Sequence, residues 1–540
     1  MRINKIYIEE FKNLRDFSIN LNEERMSTVL LGQNAAGKSN LLEALVIIFR
    51  DLDLDDRTSF NYELEYECNE NVIKVEGNST FTSKYKFTFL GSKKDGIKKL
   101  LDNPKAIAKA EILRNKAQYL PKYVFSYYSG VSNRLLEHFD KHQKRFYDAL
   151  LKNETNDNIP PRPLFYARLI HSHFVLMAFY AFQEEKINKF LEEYLNIIGL
   201  ESVLFVLKKP QWDGDIMNGD PKFWFAKGVV KDFLNDLWEA SIGPIYHKAK
   251  VREDFNKHPD QEQLYLYISN QEKLEKLAKK YGTNTEFFKS LESTYISDLI
   301  QEVRVKVKKV NVNGEITFKE LSEGEQQLLT VLGLLRFTKE DESLILLDEP
   351  DTHLNPLWKW KYMNLLEEYS GKDDTSQILM TTHDPLVIGG LTKEEIRIFY
   401  SKKALDKDGN EFQKIETFEP DFDPKGLGVA GILTSEFFNL PAAMDEDTYL
   451  DLNRKRELEV LDRENKLDEA EKEELQKLIT SLSKVGFEKV QRDPLYERFI
   501  QAVYKNPDLK KTPTNIEERK LQNEKMATLI KQIMDEEKSL

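Results

Sequence analysis

The residues of this chain best suited to chemistry begin at Gly32-Gln33-Asn34-Ala35-Ala36-Gly37-Lys38-Ser39, which satisfies G-x-x-x-x-G-K-S in full. Glycines let backbone N–H groups approach a phosphate, Lys38 brings a positive charge to the β and γ groups, and Ser39 can hold Mg²⁺. The helix that opens there, with Asn40 in its first turn, points its N-terminal dipole at the same anion. Far downstream, the aliphatic run Leu344-Ile345-Leu346-Leu347 ends in Asp348-Glu349. A buried strand closing on two adjacent carboxylates needs a reason, because unpaired buried charge is costly. Magnesium supplies one. Asp348 would bind it through its water shell, and Glu349 would polarise an attacking water as general base. The competing reading is two acids at an exposed strand end. Two more elements lie in line with these. Leu321-Ser322-Glu323-Gly324-Glu325-Gln326-Gln327 is, taken alone, a polar turn followed by glutamine. His383 follows the apolar run Ile378-Leu379-Met380 within Thr381-Thr382-His383-Asp384-Pro385, and a lone histidine at a strand end is more often structural than catalytic.

The phosphate loop needs a strand before it and a helix after it. Residues 27–31 are a short β-branched and aliphatic run, and residues 40–50 carry Leu41, Leu42, Leu45, Ile48 and Phe49 at helical spacing. Residues 2–9 and 14–21 alternate about a Lys12-Asn13 turn and predict a hairpin. Alternation returns over 71–90, and 123–128 predicts a further strand. From 131 to 295 the pattern is helical and rich in aromatic residues, without the sustained heptads of a coiled coil. Strand character resumes over 297–312, with a hairpin-like Asn313-Gly314 turn. The expectation is an α/β fold: a phosphate-loop head in two lobes, 1–130 and 297–400, split by a large helical insert over 131–296. A C-terminal helical region, 401–540, follows, with leucines spaced among charges over 449–482.

Bulk properties narrow the function. A net charge of −13 argues against a chain that coats nucleic acid with its whole surface. Local basic strips remain, at Lys93, Lys94, Lys98 and Lys99 and at Arg304, Lys306, Lys308 and Lys309. Their plainer reading is a solvated loop and an edge strand with outward lysines. One cysteine, Cys68, excludes an internal disulfide or a cysteine-based zinc site. No apolar run approaches the ~20 residues of a membrane helix, so the expected location is the cytoplasm, with no membrane partner. His138, His142, His171 and His173 have no acidic companion at metal-ligand spacing and are expected as core or surface residues.

Phosphate loop, LSEGEQQ, acidic strand end and His383, in that order, resemble the ATP-binding-cassette ATPases, which implies that the two lobes form an ABC-type P-loop ATPase head. The resemblance implies that His383 contacts the γ-phosphate. It also implies that Ser322, Gly324 and Glu325 engage a γ-phosphate held by a second copy, so that ATP cements a dimer. The size of the insert, the opening Lys5-Ile6-Tyr7-Ile8-Glu9-Glu10-Phe11-Lys12-Asn13-Leu14 and the stretch Asp348-Glu349-Pro350-Asp351-Thr352-His353-Leu354-Asn355-Pro356 are similar to the recombination-mediator and overcoming-lysogenisation-defect group. Asn355 stands where many cassette ATPases have aspartate. One cysteine excludes a zinc hook. A Toprim nuclease is disfavoured because Asp421-Phe422-Asp423 follows no buried strand. Tyr127-Tyr128-Ser129-Gly130, the piece from Gly428 to Phe438, Met444-Asp445-Glu446-Asp447-Thr448 and Asp493-Pro494-Leu495-Tyr496-Glu497-Arg498-Phe499 resemble the PtuA-type ATPases of Septu anti-phage systems, some of which accompany retrons. That resemblance implies ATP and Mg²⁺ and a homo-oligomer built on ATP-sandwich dimers. It also implies a separate HNH nuclease of the PtuB kind, with retron RNA or DNA, a reverse transcriptase, or a DNA or phage component as further partners. The rival function is a DNA-structure-sensing repair ATPase that acts without a nuclease.

Overall fold

The computed structural model describes residues 1–540 except 23, 95–96, 131, 133, 153–162, 213–218, 252–254, 311–315, 318–319, 339–341, 371–374, 406–408, 488–493, 511–515 and 539–540. The expected Asn313-Gly314 turn, Asp493 and the insert's first residue, Val131, therefore lie outside the described residues. In chain order the strands are β1 (Arg2–Phe11), β2 (Leu14–Asn20), β3 (Ser27–Gly32), β4 (Tyr62–Cys68), β5 (Asn71–Gly77), β6 (Tyr85–Lys94), β7 (Ile97–Ile107), β8 (Tyr123–Tyr128) and β9 (Leu164–Tyr166). There follow β10 (Ile197–Lys208), β11 (Ile245–Lys250), β12 (Asp260–Ile268), β13 (Ile300–Lys309), β14 (Ile316–Thr317), β15 (Ser343–Asp348), β16 (Gln377–Thr381), β17 (Ile396–Leu405) and β18 (Glu411–Phe418).

Two sheets hold the phosphate-loop helix, Lys38–Leu54, between them. One is antiparallel, in the order β2-β1-β4-β5-β6-β7; the other runs β18-β17-β3-β16-β15-β8-β9. In the second sheet all pairings are parallel except β17 with β18. The helix buries Leu41, Leu42, Ala44, Leu45, Val46, Ile47, Ile48 and Phe49 together, so it is apolar nearly all round, as a helix covered on both sides must be. Ile6, Ile8 and Tyr66 from one sheet and Leu30, Leu344 and Leu379 from the other share its core. Cys68 is a free, buried thiol on β4.

The insert differs from the expectation. It does hold helices, among them Leu169–Phe182, Gly228–Ala240, Gln271–Lys279 and Asn284–Ile296. It also contributes β9 to the parallel sheet and β10, β11 and β12 to a third sheet, in the order β11-β12-β10-β13-β14. The helical reading missed the short apolar runs Val203-Leu204-Phe205-Val206-Leu207 and Leu264-Tyr265-Leu266-Tyr267-Ile268, which periodicity alone cannot tell from buried helix.

The chain divides into two compact units, Met1–Asp421 and Phe422–Leu540. The boundary expected at 400/401 instead cuts through β17, whose pairing with β18 continues the sheet to Phe418. In the second unit the stretch of spaced leucines forms two helices, Glu446–Arg463 and Glu469–Lys484, clasped by Arg454 on both carboxylate oxygens of Glu474 at 2.9 and 2.8 Å. Among the described residues no helix is long and apolar enough to cross a membrane. Of the histidines, His171 packs against Phe165 and Phe174, and the ring of His142 meets Asp53 at 2.8 Å.

Candidate functional site

Four parallel strands end side by side, and that brings the chemistry together. Asp348 at the end of β15 is in register with Thr381 on β16 and Tyr128 on β8, and Thr381 with Leu30, just before the phosphate loop. Loops at the carboxyl ends of such a sheet are where α/β folds bind ligands.

The phosphate loop turns through positive φ at Gly32, Ala35 and Gly37, and Gly37 directly precedes the helix. A Cβ on Gly32 would lie 2.4 Å from the Phe399 carbonyl oxygen, which reserves the position for glycine. Lys38 is buried, and its Nζ donates to the carbonyls of Gly32 and Gln33 at 2.8 and 3.0 Å. Burial pulls its pKa down to about 8, against the pull of Glu349 and Asp348. Asn34 and Ala35 are exposed on the loop and Ala36 is buried beneath it.

Ser39 Oγ donates to Asp348 Oδ1 at 3.0 Å, and Thr381 Oγ1 donates to the same oxygen at 2.6 Å. The second oxygen, Oδ2, is buried without a partner. Burial raises the Asp348 pKa, opposed by those two hydroxyls. A buried carboxylate oxygen with nothing to bind, beside a serine hydroxyl, fits a hard divalent cation with oxygen ligands. Ser39 and Asp348 are the residues that would hold Mg²⁺.

Glu349 follows at φ 51, which turns it out of the strand. Its Oε1 lies 3.2 Å from His383 Nε2, and its N–H donates to Thr381 Oγ1 at 2.9 Å. The contact with His383 is the main cause holding the Glu349 pKa below the usual glutamate value. Glutamate and histidine thus meet at the mouth of the loop, both partly exposed.

Ser322 caps the helix Glu323–Leu328. Its Oγ accepts from the Glu325 N–H at 3.3 Å while its own N–H donates to Glu325 Oε2 at 2.8 Å. The Glu325 carboxylate also holds Lys309 Nζ at 2.5 Å, so Ser322 and Glu325 have their side chains engaged within the cap. Gly324 is buried against the segment after Glu349, where a Cβ would lie 2.5 Å from the His353 carbonyl oxygen. Gln327 ties the two pieces together: its Oε1 accepts from the His353 N–H at 3.0 Å, and its amide nitrogen lies 3.5 Å from the Glu349 carbonyl.

Several neighbours carry no mark in the sequence. Glu43, buried one turn into the phosphate-loop helix, collects Lys12 Nζ at 2.5 Å, Arg134 Nη2 at 2.6 Å and His138 Nε2 at 3.0 Å. Burial works to raise its pKa, but hydrogen bonds from His138, Lys12 and Arg134 hold it at about 2. Arg134 also donates to Asn40, and Asn40 Nδ2 to Asn13 Oδ1 at 2.6 Å. Asn13 Nδ2 donates to the Ala35 carbonyl at 2.7 Å. The β1–β2 turn, the loop after β8 and the phosphate loop are therefore one network around Glu43. The signal that could have pointed to it is the Lys12-Asn13 turn itself. Asp351 is buried too, accepts from Thr382 Oγ1 at 2.8 Å, and is pushed up to about 6 by burial.

A phosphate loop between strand and helix, with a buried carboxylate held by the loop's serine at the neighbouring strand end, is the arrangement of a P-loop nucleotide-binding domain. Two family models match the chain, "AAA ATPase domain" over residues 1–212 and "AAA domain, putative AbiEii toxin, Type IV TA system" over residues 236–389. The Septu protein PtuA of Bacillus mycoides (strain KBAB4) is 28% identical over 231 residues, which cover 40% of this chain and 29% of that protein. The Retron Vc95 probable ATPase of Vibrio cholerae serotype O1 biovar El Tor is 22% identical over 454 residues, 77% of each chain. Among solved structures, an Smc head bound to the C-winged helix domain of ScpA aligns with 78% of this chain and 98% of its own, at 14% identity and a TM-score of 0.32. The matched proteins relate the chain to the PtuA-type ATPases, although it spans under a third of the length of the first of them.

Proposed function

We propose that the chain is an ATP-binding and ATP-hydrolysing switch subunit of a cytoplasmic anti-phage defence complex. Two heads close on ATP, and closure controls a separate HNH nuclease. The observation that carries the ATPase reading is the buried, unpartnered Asp348 Oδ2 beside Ser39, with the Lys38 loop on one side and the Glu349–His383 pair on the other. Mg²⁺, when bound, would supply positive charge to the phosphates. Lys38 exchanges its two backbone carbonyls for phosphate oxygens, Glu349 accepts a proton from water, and His383 holds the Glu349 carboxylate in its charged form. The Glu43 network fixes the loop from behind. Ser322 and the Gly324 N–H on the helix Glu323–Leu328 face the second copy's nucleotide in the closed dimer. The relationship to Septu and retron proteins supports the defence role and, through it, the nuclease partner, with the second unit as its docking or assembly region.

The decisive experiment is Glu349→Gln. This variant should bind ATP as tightly as wild type, lose turnover by ~100-fold or more, and accumulate an ATP-dependent dimer on sizing columns. A variant that turns over ATP at the wild-type rate would sink the assignment of Glu349 as base. The expected loss of turnover without a longer-lived dimer would sink the closure half alone.

A further inference from the structure

The ladder between β15 and β16 ends at the pair Asp348–Thr381. Glu349 and His383 both lie beyond it, where strand pairing no longer fixes the backbone. Glu349 moreover sits at φ 51, a conformation that a residue other than glycine keeps only where its surroundings enforce it. Two threonines take over from the ladder. The Thr381 hydroxyl accepts from the Glu349 N–H at 2.9 Å and donates to Asp348 Oδ1 at 2.6 Å. One residue on, the Thr382 hydroxyl accepts from the Asp384 N–H at 3.1 Å and donates to Asp351 Oδ2 at 2.8 Å. Asp384 is held a second time, by Lys359 Nζ on Oδ2 at 2.8 Å, while its Oδ1 accepts from the Leu386 N–H at 2.8 Å and caps the helix Pro385–Ile388. Asp351 and Thr382 are buried, and the Lys359–Asp384 pair is mostly so.

We propose that Asp351 and Lys359 are positioning residues for ATP hydrolysis: through Thr382 and Asp384 they fix the backbone on both sides of His383 and so keep its ring on Glu349. The proposal rests on the reading of Glu349 as the base and His383 as its partner. The contact to be kept is one of 3.2 Å between side chains 36% and 40% exposed. Water competes for both groups at that exposure, so the pair persists only as well as the two backbones are placed. A hydrogen bond is made or lost within less than ~1 Å, and a reacting group misplaced by about that much can cost ~100-fold in rate. Asp351 and Lys359 both belong to the segment that follows Glu349. The histidine loop is therefore tied to the same stretch of chain that carries the base. An apolar residue of similar size would fill the space beneath Thr382 at less cost than a buried carboxylate. What Thr382 takes from Asp351 is an acceptor.

Single-turnover hydrolysis of ATP by excess full-length protein reads the chemical step, and calorimetry reads ATP affinity. Asp351→Leu should slow the chemical step about tenfold with ATP affinity unchanged. Asp351→Asn, which keeps an acceptor for the Thr382 hydroxyl, should recover most of that loss. The deciding measurement is made in a His383→Ala background. There Asp351→Leu should cost nothing further, since the histidine it positions is gone. The proposal is overturned by any of four results: Asp351→Leu at the wild-type rate, Asp351→Asn as slow as Asp351→Leu, a loss that lies in affinity, or the same tenfold loss on top of His383→Ala. His383→Ala at the wild-type rate would bring down the Glu349–His383 reading together with the proposal. A slow His383→Ala beside an undisturbed Asp351→Leu refutes the positioning alone. If Asp351→Leu does not fold, Lys359→Met, with Lys359→Arg as its conservative partner, decides between the same outcomes.

Discussion

Burial lowers the Lys38 pKa, and the sign of its effect on nucleotide binding follows from that. Its pKa is about 8 in the nucleotide-free chain, and phosphates favour only the charged form. Nucleotide binding therefore takes up a proton once the pH exceeds 8. Affinity should weaken by up to about tenfold per pH unit between about 8 and 10, and calorimetry at pH 9 in buffers of different ionisation heat should register the uptake. A flat affinity across that range would remove Lys38 from the phosphates. Asp351 behaves in the opposite sense for stability. Its folded pKa, about 6, is raised by burial, so its favourable contribution is full below pH ~4 and is lost as pH rises through 6. Asp351→Asn should accordingly stabilise the chain at pH 7.5 by about 1–3 kcal/mol and by nothing at pH 4, as read from paired thermal melts. At this scale the sequence was informative wherever a residue type is demanded by its ligand: the glycines, Lys38, Ser39 and the two carboxylates stand together as their spacing implied. Glu43, Arg134 and Asp351 were hidden because their roles come from partners distant in the chain, and a lone acid on a helix carries no such mark.

The elements show which patterns carry information and which do not. The phosphate-loop helix and the strands β3, β15 and β16 were legible because long apolar runs ended at chemically odd residues. In the third sheet β13 lies within the 297–312 stretch read as strand, but β10 and β12 were not legible, since they are nearly continuous apolar stretches embedded among aromatic helices. One junction between these elements invites a direct test. The helix from Glu323 loosens into a π-helical turn at Leu329–Gly333, and there a Cβ on Gly333 would lie 2.2 Å from Val175 Cγ1 on the helix Leu169–Phe182. Gly333→Ala should destabilise the chain by about 1–3 kcal/mol through overpacking, and adding Val175→Ala should restore most of the loss. If the double variant melts no higher than the single, the close approach is not what sets the cost, and the link between the helix Glu323–Leu328 and the insert must be sought elsewhere.

For the whole molecule, the chain divides at Asp421, and the proposed function assigns each unit its own task. A chain ended after Asp421 keeps every strand of the parallel sheet and every residue of the candidate ATP site, so it should bind ATP with unchanged affinity. It should fail to retain the nuclease partner in a co-purification from cells that supply both, if the second unit is the docking region. The full chain alone should leave plasmid DNA uncut in Mg²⁺ or Mn²⁺ and should support cutting only with that partner. Nicking that disappears in Asp421→Ala or Asp423→Ala would instead place a nuclease in this chain. The domain limits were the least readable property of the sequence: β17 and β18 carry lysines and glutamates that look like the start of a charged tail, and only their pairing shows that they close the sheet.

Cys68 has a practical use of its own. It is the single thiol of the chain, enclosed on β4, and burial pushes its pKa up to about 12, so maleimide reagents have no thiolate to attack there. The native background is in effect thiol-silent. A Leu357→Cys substitution, at a side chain 57% exposed beyond the candidate site, would then take one fluorophore per copy with no prior removal of cysteine. Mixed donor and acceptor populations would report the approach of two heads in real time, on a protein otherwise unaltered.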